Sequence, residues 1–133
     1  VQHIHERSKW TTSVCSGSLI LAAAGLLKDL AATTHWSVLD TLAMFGAKPT
    51  HQRIVRQGKI ITAAGVSAGI DMALSLIAWE CGEERAKAIQ LAIEYDPQPP
   101  FDAGSIEKAP TMIVEAVKAI FAHEQQKVTS AKV

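Results

Sequence analysis

The chain has 133 residues, 48% of them hydrophobic, and 13 basic side chains balance 13 acidic ones. That length and composition suit an ordinary globular core. The zero balance argues against nucleic acid as a partner, which needs clustered positive charge. A membrane span is excluded in the same way: Leu19 to Leu27 is too short for the ~20 apolar residues required, and Lys28-Asp29 close it.

The opening residues, Val1 to Lys9, are polar and His-rich and do not resemble a signal peptide. Val1 to Arg7 reads as the end of a helix. Trp10 to Val14 is rich in β-branched and aromatic residues and reads as a strand. In a parallel sheet covered on both faces it should be buried. Ser16 to Leu27 reads as a helix, with Ser16 and Ser18 able to cap its start and Gly25 near its C-cap.

Cys15 lies between that strand and that helix. A nucleophile on a sharp strand-to-helix turn is an elbow, and Gly17 supplies a small residue close behind it. The helix N-terminus directs N–H groups and a positive dipole end at such a residue. Such a field favours the thiolate, which is the nucleophilic form, and the same N–H groups can hold an oxyanion. The alternative is a small buried hydrophobe that happens to precede a helix.

Ala31 to Trp36 reads as a short extended piece. Ser37 can cap a helix from Val38 to Met44, which Gly46 ends and Pro49 prevents from continuing. Arg53 to Gln57 and Lys59 to Ala63 read as a β-hairpin around Gln57-Gly58. Ile54 and Arg56 share a face of the first arm, which suggests an edge position where the charge reaches water. After Gly65 comes a regular helix with Ile70, Leu74 and Ile77 on one face, Met72 and Ala73 beside it, and Gly82 at its end. Glu83 and Glu84 open the next helix, with Ala86, Ile89, Ala92 and Ile93 as its buried side. The prolines between Asp96 and Pro100 force an extended loop. A last helix spans about Pro110 to Gln125, with Ile113, Val117, Ile120 and Phe121 as its apolar stripe. Lys127 to Val133 reads as a frayed tail. The order of elements is that of an α/β domain, short of strands for a doubly wound sheet.

Other side chains have competing readings. His35 is either a base or orienting partner for Cys15 or a core histidine bonded to backbone beside Trp36. Asp71 complements a helix dipole, and Ser67 reads as a cap. Gly65 and Gly69 allow close packing. Cys81, among Glu80, Glu83 and Glu84, should react less readily than Cys15. The two cysteines lie in different contexts and suggest no disulfide framework, so a cytoplasmic setting is the default. His3, His5, His51 and His123 have no metal-site spacing, and no metal is assigned.

Four blocks carry a family resemblance. Ser13-Val14-Cys15-Ser16-Gly17-Ser18-Leu19-Ile20-Leu21-Ala22-Ala23-Ala24-Gly25-Leu26-Leu27 resembles the nucleophile region of the ThiJ/PfpI superfamily, in the class I glutamine amidotransferase-like fold. Ala32-Thr33-Thr34-His35-Trp36 and Thr62-Ala63-Ala64-Gly65-Val66-Ser67-Ala68-Gly69-Ile70-Asp71 follow in the family's order. Gln90-Leu91-Ala92-Ile93-Glu94-Tyr95-Asp96-Pro97-Gln98-Pro99-Pro100-Phe101 is most similar to the isonitrile hydratase branch.

The resemblance implies a flavodoxin-like three-layer α/β sandwich. Residues 1–133 would form the C-terminal portion of one domain, without the first strands of the sheet. It implies a lyase that hydrates an isonitrile to an N-formamide. Cys15 would be the nucleophile and the Ser16 backbone N–H a stabilising donor, with Gly17 and His35 in support. It implies no metal or organic cofactor, a small-molecule substrate and a homodimer. The acidic proton-transfer residue of the family is expected upstream of Val1. Ser16 stands where peptidase-like relatives carry a histidine, which leaves amide cleavage without its base. Two rivals remain: a redox-responsive protein with an oxidisable Cys15, and a ligand-sensing domain related to AraC-type regulators.

Overall fold

The computed structural model describes residues 1–130, in two compact units, the first ending at Asp96 and the second beginning at Pro97. In the first unit β1 (Thr11–Val14), β4 (Ile54–Gln57) and β5 (Ile60–Ala63) form one sheet in the order β1-β5-β4. β1 runs parallel to β5, with Ser13 opposite Thr62, and β4 runs antiparallel to β5. The hairpin turn is Gly58-Lys59, one residue later than the sequence suggests. Gly58 alone of the two has a positive φ, 60°, the pattern of a type II′ turn. β4 lies at the edge, as expected. A second, two-stranded parallel sheet pairs β2 (Ala31–Ala32) with β3 (Lys48–Pro49).

Side chains alternate across the sheet, and each face has its own cover. On one face Ile60 clusters with Leu21 and Ala22 of α2 (Ser18–Ala23), with Leu42 of α3 (Leu39–Met44), and with Leu27, Ala32 and Ala47. On the other, Ile61 and Ala63 pack against Ala68 and Met72 of α4 (Ala68–Cys81), joined by Val14, Trp10 and Leu76. Helix, sheet and helix make three layers.

Several expectations need correction. β1 is only partly buried, with Ser13 its one buried residue, because it lies at the other edge of the sheet. The helix after Cys15 is half the expected length. It begins with a 3₁₀ turn, Cys15–Gly17, and the α-helix ends at Ala23. Its end is a Schellman motif on Gly25 (φ 77°), with Leu26 N–H donating to Leu21 C=O and Gly25 N–H to Ala22 C=O. Neither Ser16 nor Ser18 caps it; the Ser18 hydroxyl donates back to the Cys15 carbonyl. Ser37 does not cap α3 either. His35 accepts from the Ser37 N–H and so caps a 3₁₀ turn, Trp36–Val38, that leads into α3.

α4 is turned relative to the expected face. Ala68 and Met72 are its buried residues, while Ile70 is exposed. The reason is close approach: a Cβ on Gly69 would lie 3.0 Å and 3.1 Å from the two Cγ atoms of Val14. Glycine at this position lets the helix come that near the sheet. In α5 (Glu83–Ala92) Ala86 is buried, but Ala92 and Ile93 are exposed. α1 (Gln2–Arg7) ends against Lys59, whose ammonium donates to the carbonyls of His5 and Ser8.

The second unit contains α6 (Thr111–Ser130). Ile113 and Ile120 of the expected stripe are exposed. The helix continues through Ser130, into the stretch expected as a tail, and residues 131–133 lie outside the described residues. Among the described residues no helix is long and apolar enough to cross a membrane.

Candidate active site

Cys15 occupies the junction of β1 and the 3₁₀ turn, half-buried, with a φ of 58°. This left-handed conformation is rare outside glycine, and it makes the sharp turn of an elbow. Gly17, the small residue expected close behind Cys15, has an ordinary φ of −58°. A Cβ on it would meet only the Cβ of Ser13, at 3.8 Å. The unusual conformation therefore falls on the cysteine itself.

Backbone and side-chain bonds hold it there. The Cys15 N–H donates to Ala64 C=O at 2.7 Å, and Ala64 N–H donates in turn to Arg53 C=O at 2.9 Å. The Cys15 carbonyl accepts from Thr34 Oγ1 at 3.0 Å and from Ser18 Oγ at 3.3 Å. Thr34 is 1% exposed and Ser18 fully buried. Thr33 is equally buried, and its N–H donates to Thr62 Oγ1 of β5 at 2.9 Å. The Thr33-Thr34 pair thus straps the end of β2 to the central strand and to the elbow. Ser13 Oγ, buried on β1, has no protein hydrogen-bond partner.

Ser16 is exposed, directly after Cys15. His35 is half-buried. Its Nδ1 meets Ser37 Oγ at 2.7 Å, and its ring lies 5.5 Å from that of Trp36. Its Cδ2 is 3.9 Å from where a Cβ on Gly65 would be, so the ring borders the residue after Ala64. Burial lowers its pKa below the usual histidine value. Thr34 thus bonds the elbow directly, while His35 turns its Nδ1 toward Ser37.

A polar cluster joins Arg53, just before β4, to α4. The Arg53 guanidinium donates to the Asp71 carboxylate, and through Nη2 to Ser67 Oγ at 3.2 Å. Tyr95 OH donates to the other oxygen of Asp71 at 2.6 Å. Bonding to Asp71 raises the pKa of both Arg53 and Tyr95. Ser67 is therefore a partner of Arg53, without the cap bond expected of it. Asp71 does stand in the first turn of α4 and also joins three segments. Cys81, at the far end of that helix, is exposed.

Thr34, Ala64 and Arg53 were not assigned to the site on sequence. One signal was present: two adjacent threonines after Ala31-Ala32 in a buried extended piece need partners for their hydroxyls. Among the described residues no three His, Cys, Asp or Glu side chains gather to hold a metal ion.

Known proteins resemble this arrangement. The DJ-1/PfpI family model matches residues 1–79. The chain is 46% identical over 112 residues to isonitrile hydratase of Pseudomonas putida, covering 84% of this chain and 49% of that protein. It is 37% identical over 78 residues to the HTH-type transcriptional regulator GlxA of Rhizobium meliloti (strain 1021), covering 57% of this chain and 24% of the regulator. Among solved structures, a ThiJ/PfpI family protein from Pseudomonas syringae superposes with a TM-score of 0.83 at 52% identity, over 87% of this chain and 48% of that one. Oxidized DJ-1 of Toxoplasma gondii superposes with a TM-score of 0.60 at 25% identity, over 72% of this chain and 52% of that one. The flavodoxin-like α/β class expected from sequence is thus the class of these neighbours. The chain spans about half the length of the hydratase.

Proposed function

The chain belongs to the DJ-1/PfpI family, and we propose that it carries the nucleophile of an isonitrile hydratase. The Cys15 thiolate attacks the terminal carbon of R–N≡C, forming a C–S bond. That carbon takes up a proton, giving the thioimidate R–N=CH–S–Cys15. Water adds across C=N, its oxygen to carbon and a proton to nitrogen. The C–S bond then breaks, the electron pair returns to sulfur, and the hydroxyl proton leaves as R–NH–CHO forms. The sum is one isonitrile and one water to one N-formamide. No step requires a metal, a redox partner or an organic cofactor.

Each role follows from local chemistry. Cys15 supplies the sulfur nucleophile. The Ser16 backbone N–H, at the residue after the nucleophile, is the donor to oxygen as the tetrahedral adduct collapses. Gly17 continues the turn, and His35 borders it. The proton for the isonitrile carbon comes from an acidic residue beyond these 133 residues, as the resemblance implies. The active form is a cytoplasmic homodimer acting on a small molecule.

The support is twofold: the left-handed Cys15 at a strand-to-helix junction, and 46% identity to isonitrile hydratase over 84% of the chain. The second carries the choice of substrate.

The test is formation of N-cyclohexylformamide from cyclohexyl isocyanide by the full-length parent, its Cys15→Ala variant and this chain alone. The parent turns over and Cys15→Ala does not. The chain alone is slower by about 10²–10⁴, the usual effect of a missing acid–base group. An inactive parent, or an active Cys15→Ala, overturns the reading in favour of ligand sensing or cysteine oxidation.

A further inference from the structure

A peptide unit is planar and trans, so its C=O and N–H point in opposite directions. The unit joining Cys15 to Ser16 has the Cys15 carbonyl at one end and the Ser16 N–H at the other. Its carbonyl end is held by two buried hydroxyls, Thr34 Oγ1 at 3.0 Å and Ser18 Oγ at 3.3 Å. Cys15, at a φ of 58°, is the first residue of the 3₁₀ turn Cys15–Gly17, so this unit stands at the very start of the helix.

We infer that Thr34 is a positioning residue that aims the Ser16 N–H at the oxygen developing beside Cys15. The inference rests on the thiol chemistry proposed above and extends it to a residue 19 positions away. Thr34 is 1% exposed, so water does not compete for its hydroxyl. Its own backbone is fixed through the preceding residue, where Thr33 N–H donates to Thr62 Oγ1. The hydroxyl is therefore a fixed post, not a mobile side chain. Donation into the carbonyl also polarises the peptide, which makes the N–H at its other end a stronger donor.

Two reagents separate aiming from mere thiol reactivity. Acylation of Cys15 by p-nitrophenyl acetate forms a tetrahedral oxyanion; alkylation by iodoacetamide forms none. Both rates are read in a Cys81→Ser background, at a pH high enough to ionise the thiol. Thr34→Val keeps the shape and removes the hydroxyl. It should slow acylation about 10-fold or more, since loss of a whole oxyanion donor costs about 10²–10³. Alkylation should stay within about twofold on the same argument. Thr34→Ser restores acylation. If Thr34→Val does not fold, Ser18→Ala removes the second hydroxyl from the same carbonyl, and the same ratio is measured. Equal slowing of both reactions means that Thr34 only stabilises the fold, and no change in either means that the carbonyl needs no anchor; each result overturns the inference. Neither rate depends on isonitrile turnover, so an inactive parent counts against the hydratase reading alone.

Discussion

A cysteine at a φ of 58° holds a conformation that costs an L-residue about 1–2 kcal/mol and glycine almost nothing. Removing the side chain in two ways therefore has two outcomes. Cys15→Gly should be more stable than Cys15→Ala by about 1 kcal/mol, measured by urea unfolding. Equal midpoints would show that the elbow relaxes once the thiol is gone. His35 allows a pH test of its surroundings. Its pKa is lowered by burial, so the folded chain binds its proton less readily than the unfolded chain. Its contribution is complete above the unfolded value of about 6.5 and is lost as pH falls through the lowered folded value. His35→Asn keeps an acceptor for the Ser37 N–H but does not titrate. Thermal melting of the wild type should fall relative to this variant below pH of about 6.5, and parallel curves would remove His35 as the cause.

Among the elements, α4 best shows what a linear reading finds and misses. Its existence, its start after Gly65 and its end at Gly82 were legible, because local residues set them. Its buried face was not. Two apolar stripes compete, and the one with the larger side chains, Ile70, Leu74 and Ile77, is only half-buried, with Ile70 exposed. What selects Ala68 and Met72 is the approach of Gly69 to Val14, a contact across 55 residues of chain. Gly69→Ala forces that contact and should cost about 1–3 kcal/mol, the usual range for overpacking. A Val14→Ala change should recover part of the loss in the double variant, and simple addition of the two effects would argue against the clash. The far end of α4 is fastened by a contact equally invisible in sequence. The Arg56 guanidinium lies 4.7 Å from the ring of Trp10 and 4.5 Å from that of Trp79. Glu80 accepts from Trp10 Nε1 at 2.7 Å and from Lys9. The edge position of β4 was legible from Arg56, but its stacking partners were not. At the elbow the same division holds: Cys15 could be found from its neighbours, whereas the partner of the Thr34 hydroxyl could not, since only folding brings residue 34 to residue 15.

Across the whole molecule the sheet is the part that bears on association. Within the described residues β1 has a hydrogen-bonded neighbour on one side only, β5. An open strand edge presents unpaired N–H and C=O groups to other chains. Thr12 is exposed on that strand. Sedimentation of this chain should show concentration-dependent self-association, and Thr12→Lys should reduce it, because an edge lysine opposes strand addition. An unchanged profile for Thr12→Lys would move the contact away from β1. The row of bonds that crosses the sheet has one more consequence. Cys15 N–H is bonded to Ala64, Ala64 N–H to Arg53, and the Arg53 side chain to Asp71, which also receives Tyr95. The amide proton of Cys15 can exchange with deuterated solvent only after the β5 end of that row lets go. Its exchange rate, followed by NMR, is thus a clock built into Cys15. It counts how often the 54–63 hairpin parts from the strand that carries the thiol.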